Sequence, residues 1–419
     1  MIEGKLMNNV ILYIDPGTGA MLFSVIMGVI GAAYFVLQKA FIKLKFILTA
    51  GKVKENTQNA YQYVIYSDDK RYWNVFGPIC DEFERRKVQC EYWTASKDDP
   101  AFEKEFEYVH SKFIGEGNKA YATLNFLRAD ICLSTTPGLN VYQWKRSENV
   151  KHYVHITHEM YELVMYRMFG IDYYDAVLYA GSMYEKGIRE IESLRNIKRK
   201  ELVSVGSVYL DSMLKRVNQK KEFIDEDQEE IVTVLFAPTW GESSTLNRYG
   251  NRILYALKDT GYNIVVRPHP QSYVSDPKLM EELMNEFPEG NTFHWNRDND
   301  NFDVLSKADI LISDFSSVVF DYTFIFNKPI IYVNTNLDYS PYDAAWLDRP
   351  IWNISVLPEL GAELTADNIE NIKQVIDGVI DNPKYCLGIE KARDYCWEHR
   401  GEAATRVVDY LISKRGTLC

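Results

Sequence analysis

Ile310-Leu311-Ile312-Ser313-Asp314-Phe315-Ser316-Ser317-Val318-Val319-Phe320-Asp321 is the stretch that decides the fold. Its three leading aliphatic residues suit a strand buried on both faces, and the polar run after them reads as the turn into a helix starting near Ser316. A buried strand that feeds a helix through a short polar turn is the repeating unit of a doubly wound parallel sheet. The same turn gathers free backbone N–H groups, two hydroxyls and the positive end of a helix dipole at one point, which suits a phosphate or diphosphate. Ordinary helix capping accounts for one of these polar residues, but not for Ser313, Asp314, Ser316 and Ser317 together with Asp321 one turn further on.

The pattern repeats outward from this stretch. Around it, strands are expected at 232–237, 263–267 and 329–333, with helices at 246–259, 277–286 and 316–326. Upstream, strands at 63–66, 90–94, 131–134, 152–157, 176–179 and 201–205 alternate with helices at 74–86, 118–128 and 183–195. The highly charged stretch 215–230 separates the two runs and reads as a solvated connector. The expected fold class is α/β, with two doubly wound (Rossmann-like) domains, 55–214 and 231–419, facing a cleft at their strand carboxyl ends. The last helices, expected at 368–380 and 402–414, are long enough to return across the first domain.

Bulk properties agree with two folded units. A chain of 419 residues, 46% hydrophobic and 25% charged, is too long for one comfortable core and too apolar for extensive disorder. The net charge of −12 provides no general field for a polyanion, so nucleic acid is excluded as the partner and any phosphate must be bound locally. Six cysteines show neither paired spacing nor a neighbouring histidine pattern, and read as reduced thiols rather than zinc ligands.

The N-terminal segment 1–54 is different in kind. Residues 20–37 form an uncharged apolar run of 18 residues, just long enough to cross the hydrocarbon as a helix. Asp15, Pro16 and Thr18 supply a helix start before it. Lys39, Lys43, Lys45, Lys52 and Lys54 come after it, whereas Lys5 alone precedes it against Glu3 and Asp15, so the expected orientation leaves the bulk of the chain in the cytoplasm. An interfacial helix, with 41–48 as its continuation, is the other reading; both put the protein at the cell membrane.

Three further segments sit at expected strand ends. In Val265-Val266-Arg267-Pro268-His269-Pro270, Arg267 offers a bidentate charge for phosphate and His269 a donor, while the prolines stiffen the loop. In Tyr153-Val154-His155-Ile156-Thr157-His158-Glu159, alternation separates the two histidines, making His158 the better candidate base and His155 the core residue beside it. In Phe236-Ala237-Pro238-Thr239-Trp240-Gly241, Thr239 can cap the loop and Trp240 can either wall the cleft or simply pack.

These pieces, in this order, resemble the CDP-glycerol glycerophosphotransferases, the teichoic-acid primase and polymerase family with a glycosyltransferase-B-like fold. The resemblance runs from about residue 61 to 414 and is most specific in Ala-Pro-Thr-Trp, Arg-Pro-His-Pro and Ser-Asp-x-Ser-Ser-x-x-x-Asp, with support from 169–176. It implies a base at His158, donor-phosphate contacts at His269 and Arg267, and a donor-binding helix start at Ser316, Ser317 and Asp321. It also implies transfer of glycerol phosphate from CDP-glycerol to a lipid-linked or glycan hydroxyl, with release of CMP and no cofactor. Thr157-His158-Glu159 stands where members often have Trp-His-Gly, and Gly241 where an arginine often comes after the tryptophan, which leaves CDP-ribitol open as donor. A nucleotide-sugar transferase on the same scaffold is the other alternative. No acidic pair has metal-ligand spacing, so the helix start and Arg267 are expected to balance the phosphate charge.

Overall fold

The structure is a computed structural model that describes residues 44, 60–221, 231–298, 300–334 and 337–418. The chain divides into the units Met1–Lys54 and Glu55–Cys419, and both sheets belong to the second. The expected membrane segment 20–37 lies outside the described residues, as does 222–230 of the expected connector. Among the described residues, no helix is long and apolar enough to cross a membrane.

Strands β1 (Tyr61–Ser67), β2 (Cys90–Thr94), β3 (Val109–Phe113), β4 (Ala129–Ser134), β5 (Val150–Ile156), β6 (Ala176–Tyr179) and β7 (Glu201–Ser204) form one sheet in the order β3-β2-β1-β4-β5-β6-β7. Strands β8 (Thr233–Phe236), β9 (Asn263–Val266), β10 (Phe293–Trp295), β11 (Ile310–Ser313), β12 (Ile330–Val333) and β13 (Gly361–Leu364) form a second in the order β10-β9-β8-β11-β12-β13. Every pairing is parallel, as crossover helices on both faces require. The double coverage explains the apolar runs. All four residues of β11 and of β12, and all six of β4, are buried.

Three strands were not expected: β3, β10 and β13. Each lies at a sheet edge, where one side of the ladder is unpaired and the selection for continuous branched apolar residues relaxes. Their sequences, VHSKF, FHW and GAEL, accordingly carry polar or small residues. A helix spans Val208–Lys221 and takes in the first residues, 215–221, of the expected connector. Tyr209 packs against the hydrophobic core, and that anchoring overrides the polar composition nearby.

Each sheet reverses its winding once. In the first the reversal falls between β1 and β4, and in the second between β8 and β11, so the loops leaving these strands part and open a crevice in each domain. Two contacts fix the domains around it. Glu162 accepts hydrogen bonds from the Trp352 N–H (3.1 Å) and the Arg349 guanidinium, and Asp343 accepts from the Phe169 N–H (2.8 Å) while pairing with Arg195. The C-terminal helix Ala403–Leu418 returns to the first sheet, where Val407, Val408 and Leu411 share a core with Tyr63, Ile65 and Phe76. Burying such a side chain contributes about 1.5–3 kcal/mol. Arg415 adds an ion pair to Asp130 at 2.9 Å. The helix Ile372–Val379, by contrast, stays against β12 and β13. Gly206, at φ 89°, permits the crossing, since a Cβ there would lie 2.7 Å from the Glu398 carbonyl oxygen.

Candidate active site

A cavity of about 310 Å³ lies between the domains at these strand ends. From the first domain it is lined by Arg71 and Tyr72, in the loop after β1, by His158 and Glu159, after β5, and by Tyr209. From the second it is lined by Ala237 and Pro238, after β8, by Arg267 to Pro270, after β9, and by Ser316, Ser317 and Asp321, after β11. The expected histidines of opposite domains therefore share one cavity.

His158 is held on three sides. Its Nδ1 lies 2.6 Å from the hydroxyl of buried Thr135, its ring stacks on Tyr166, and the edge of Tyr72 meets it at a centroid distance of 4.8 Å. Thr135 leaves β4 at the first sheet's reversal, so the fold itself brings it to the base. Burial holds the His158 pKa below its usual value, partly opposed by Glu159 and Asp68 and reinforced by Arg71. The imidazole is consequently neutral at neutral pH, the state a base requires. In the tautomer in which the Thr135 hydroxyl accepts from Nδ1–H, the lone pair that can take a proton is on Nε2, 3.9 Å from Glu159 Oε1.

His269 has the opposite polarity. Its Nδ1 accepts the Gln271 backbone N–H at 3.1 Å, so the neutral ring carries its proton on Nε2 and acts as a donor. Burial, with the positive charges of Arg71 and Arg267, lowers its pKa to about 4. Arg267 also lines the cavity, but its guanidinium turns into its own domain and donates to Asn296 Oδ1 and, at 2.8 Å, to the Asp298 carbonyl. It ties the loop after β10 to the donor wall.

Three of the expected residues come together at the helix start. Ser316, Ser317 and Asp321 face the cavity, with the helix Val318–Phe326 beginning immediately after the serines. Asp321 accepts a hydrogen bond from the Tyr209 hydroxyl at 3.3 Å, across the domain boundary. Burial raises its pKa to about 7.

Five expected site residues do not line the cavity. The Ser313 hydroxyl donates to the Ala237 carbonyl at 2.6 Å, holding β11 to the end of β8. Buried Asp314 accepts from the Thr239 N–H, the Thr245 N–H and the Thr245 hydroxyl, a staple of the loop after β8. Burial lifts its pKa to about 6 against the pull of those bonds. Thr239 thus contributes its backbone to that staple. Trp240 is 42% exposed, outside the cavity lining, with its ring centroid 6.3 Å from that of His269. His155 is wholly buried beside Tyr166, which it meets at 3.3 Å, and its pKa is depressed to about 3. It belongs to the core under His158.

Sequence reasoning missed Arg71, Tyr72, Thr135 and Tyr209. The reversal in strand order would have found the first three, since they leave β1 and β4, but that order is not written in any local pattern. Among the described residues, no group of three or more His, Cys, Asp or Glu is arranged to hold a metal ion.

Fold and site together define a two-domain α/β transferase with a polar cleft, one wall offering a helix start and hydrogen-bond donors and the other a neutral histidine. The chain belongs to the CDP-Glycerol:Poly(glycerophosphate) glycerophosphotransferase family, whose model matches residues 139–413. It is similar in fold to the wall teichoic acid polymerase TagF, at a TM-score of 0.56 and 16% identity over 92% of this chain and 96% of that one. A putative UDP-N-acetylglucosamine 2-epimerase from Listeria monocytogenes aligns at a TM-score of 0.54 and 12% identity over 86% and 98%. The S. aureus MnaA structure with UDP aligns at 0.53 and 13%, also over 86% and 98%. No curated protein matches the chain.

Proposed function

We propose that the protein transfers glycerol phosphate from CDP-glycerol to a hydroxyl of a poly(glycerophosphate) or lipid-linked acceptor, releasing CMP, in teichoic-acid-like polymer synthesis. The observation that carries this reading is the meeting, in one cavity, of a neutral His158 on one domain with His269 and the Ser316–Ser317 helix start on the other. The acceptor oxygen attacks the β-phosphorus while His158 Nε2 takes its proton, and the bond from that phosphorus to the bridging oxygen breaks, leaving its electron pair on CMP. His269 Nε2–H and the N–H groups at the helix start hold the diphosphate and take up charge as the bridge opens. The two domains divide the work. One activates the nucleophile and the other holds the leaving group.

The first unit extends this reading. Residues 20–37, with the lysines after them, are proposed as a single-pass anchor that holds the catalytic unit at the cytoplasmic face, near a lipid-linked acceptor. The test is CMP release from CDP-glycerol with an oligomeric poly(glycerophosphate) primer, together with flotation of full-length and truncated protein on vesicles. Release that requires the primer supports the reading, and release from nucleotide sugars alone contradicts it. Loss of flotation on removing residues 1–54 supports the anchor, and flotation of the truncated protein contradicts it.

A further inference from the structure

Arg267 was the expected cation for the transferring phosphate, yet its guanidinium is committed to Asn296 and Asp298 within its own domain. The cavity contains another arginine. Arg71 lies in the short helical turn Lys70–Tyr72 just after β1, with a side chain 67% exposed. Its ionic partner among the described residues is Asp69, at 3.5 Å, and its guanidinium carbon sits 5.4 Å from the Tyr72 ring centroid. Tyr72 in turn abuts His158.

We propose that Arg71, reaching from the acceptor domain, is a catalytic residue that contacts the non-bridging oxygens of the transferring phosphate during attack. The inference rests on the assignment of this cavity to phosphate transfer from CDP-glycerol. Three observations support it. Arg71 lines the same cavity as Ser316, Ser317 and His269, the residues assigned to the donor phosphates. Its charge acts on both histidines, disfavouring protonation of His158 and of His269. Its salt bridge to Asp69 is long and solvent-exposed, so exchanging Asp69 for the singly charged non-bridging oxygens of the β-phosphate costs little. A guanidinium on the acceptor wall also makes full charge compensation depend on the two walls enclosing the donor together.

Arg71→Ala and Arg71→Lys, made in the full chain, test this by CMP release from CDP-glycerol with the poly(glycerophosphate) primer. The expected result is a loss of turnover of about 100-fold or more for Arg71→Ala at saturating donor and primer, with part of it recovered in Arg71→Lys. The exposed position should leave circular dichroism and the melting temperature unchanged. A merely structural role would not move the pH profile. Here the acidic limb of kcat/KM moves to higher pH in Arg71→Ala, because the charge opposing protonation of His158 is gone while Asp68, Glu159, His155, Tyr72 and Tyr166 around that ring remain. Turnover within twofold of wild type, or a loss confined to the KM for primer, overturns the proposal. If wild type releases no CMP from CDP-glycerol, the assignment of the cavity falls and Arg71 loses its role with it.

Discussion

Replacing Thr135 with Val separates the orientation of the base from its presence. The two side chains have nearly the same shape, Thr135 is wholly buried, and its hydroxyl lies 2.6 Å from His158 Nδ1, so the change removes one hydrogen bond without opening a cavity. A buried ring N–H left without its acceptor costs about 1–3 kcal/mol. If that penalty falls on the transition state, where the imidazolium forms, turnover drops about 5- to 150-fold at 1.36 kcal/mol per decade. The Tyr166 hydroxyl, 3.5 Å from the same nitrogen, can take up part of the bond, which favours the lower half of that range. The assay is primer-dependent CMP release measured across about pH 5 to 9, a span that brackets the ordinary histidine value. The acidic limb should move to lower pH, because Thr135 accepts from Nδ1–H more strongly in the imidazolium, and its loss disfavours that form. Thr135→Ser, which keeps the hydroxyl, should restore both turnover and limb. Turnover of Thr135→Val within twofold of wild type, with an unmoved limb, would refute this orientation of His158.

The same geometry sets other outcomes. His158→Ala should lower turnover about 10²- to 10⁴-fold with CDP-glycerol affinity nearly preserved, whereas His269→Ala should lower both, as calorimetry and steady-state kinetics can show. Ser316→Ala with Ser317→Ala should weaken donor binding by more than either change alone, each lost hydroxyl contributing about 0.5–1.5 kcal/mol in calorimetry. Asp321, whose pKa rises to about 7 in the fold, makes its full contribution to stability below the ordinary carboxylate value near 3.8 and loses it as pH climbs to 7. Asp321→Asn should therefore melt higher than wild type at pH 8, by up to about 4 kcal/mol of stability, with the difference vanishing near pH 4.

How much the sequence disclosed depends on how each residue is held. The central strands β4, β11 and β12 are covered on both faces, so burial wrote itself into continuous apolar runs, and 310–313 could be read as β11 directly. The edge strands β3, β10 and β13 lack that constraint and left no such trace. Within the site, Ser316, Ser317 and Asp321 were legible because a helix start aims them at one point. Ser313 and Asp314 carry the same chemistry in the same stretch, yet they bind Ala237, Thr239 and Thr245, and local sequence does not distinguish a loop staple from a ligand contact. Arg71 reaches the cavity, and Thr135 reaches His158 behind it, only through strand order, a property of long-range pairing.

The most direct test of the central claim is a donor comparison by the full-length protein: CDP-glycerol, CDP-ribitol and a UDP-linked sugar, each with the poly(glycerophosphate) primer, for wild type and His158→Ala. The expected result is CMP release from CDP-glycerol by wild type, with glycerol phosphate added to the primer, and its near-complete loss in His158→Ala. Preference for CDP-ribitol would revise the polyol, whereas UDP release from the sugar donor, or CMP release undiminished in His158→Ala, would contradict the function and mechanism assigned to this cavity.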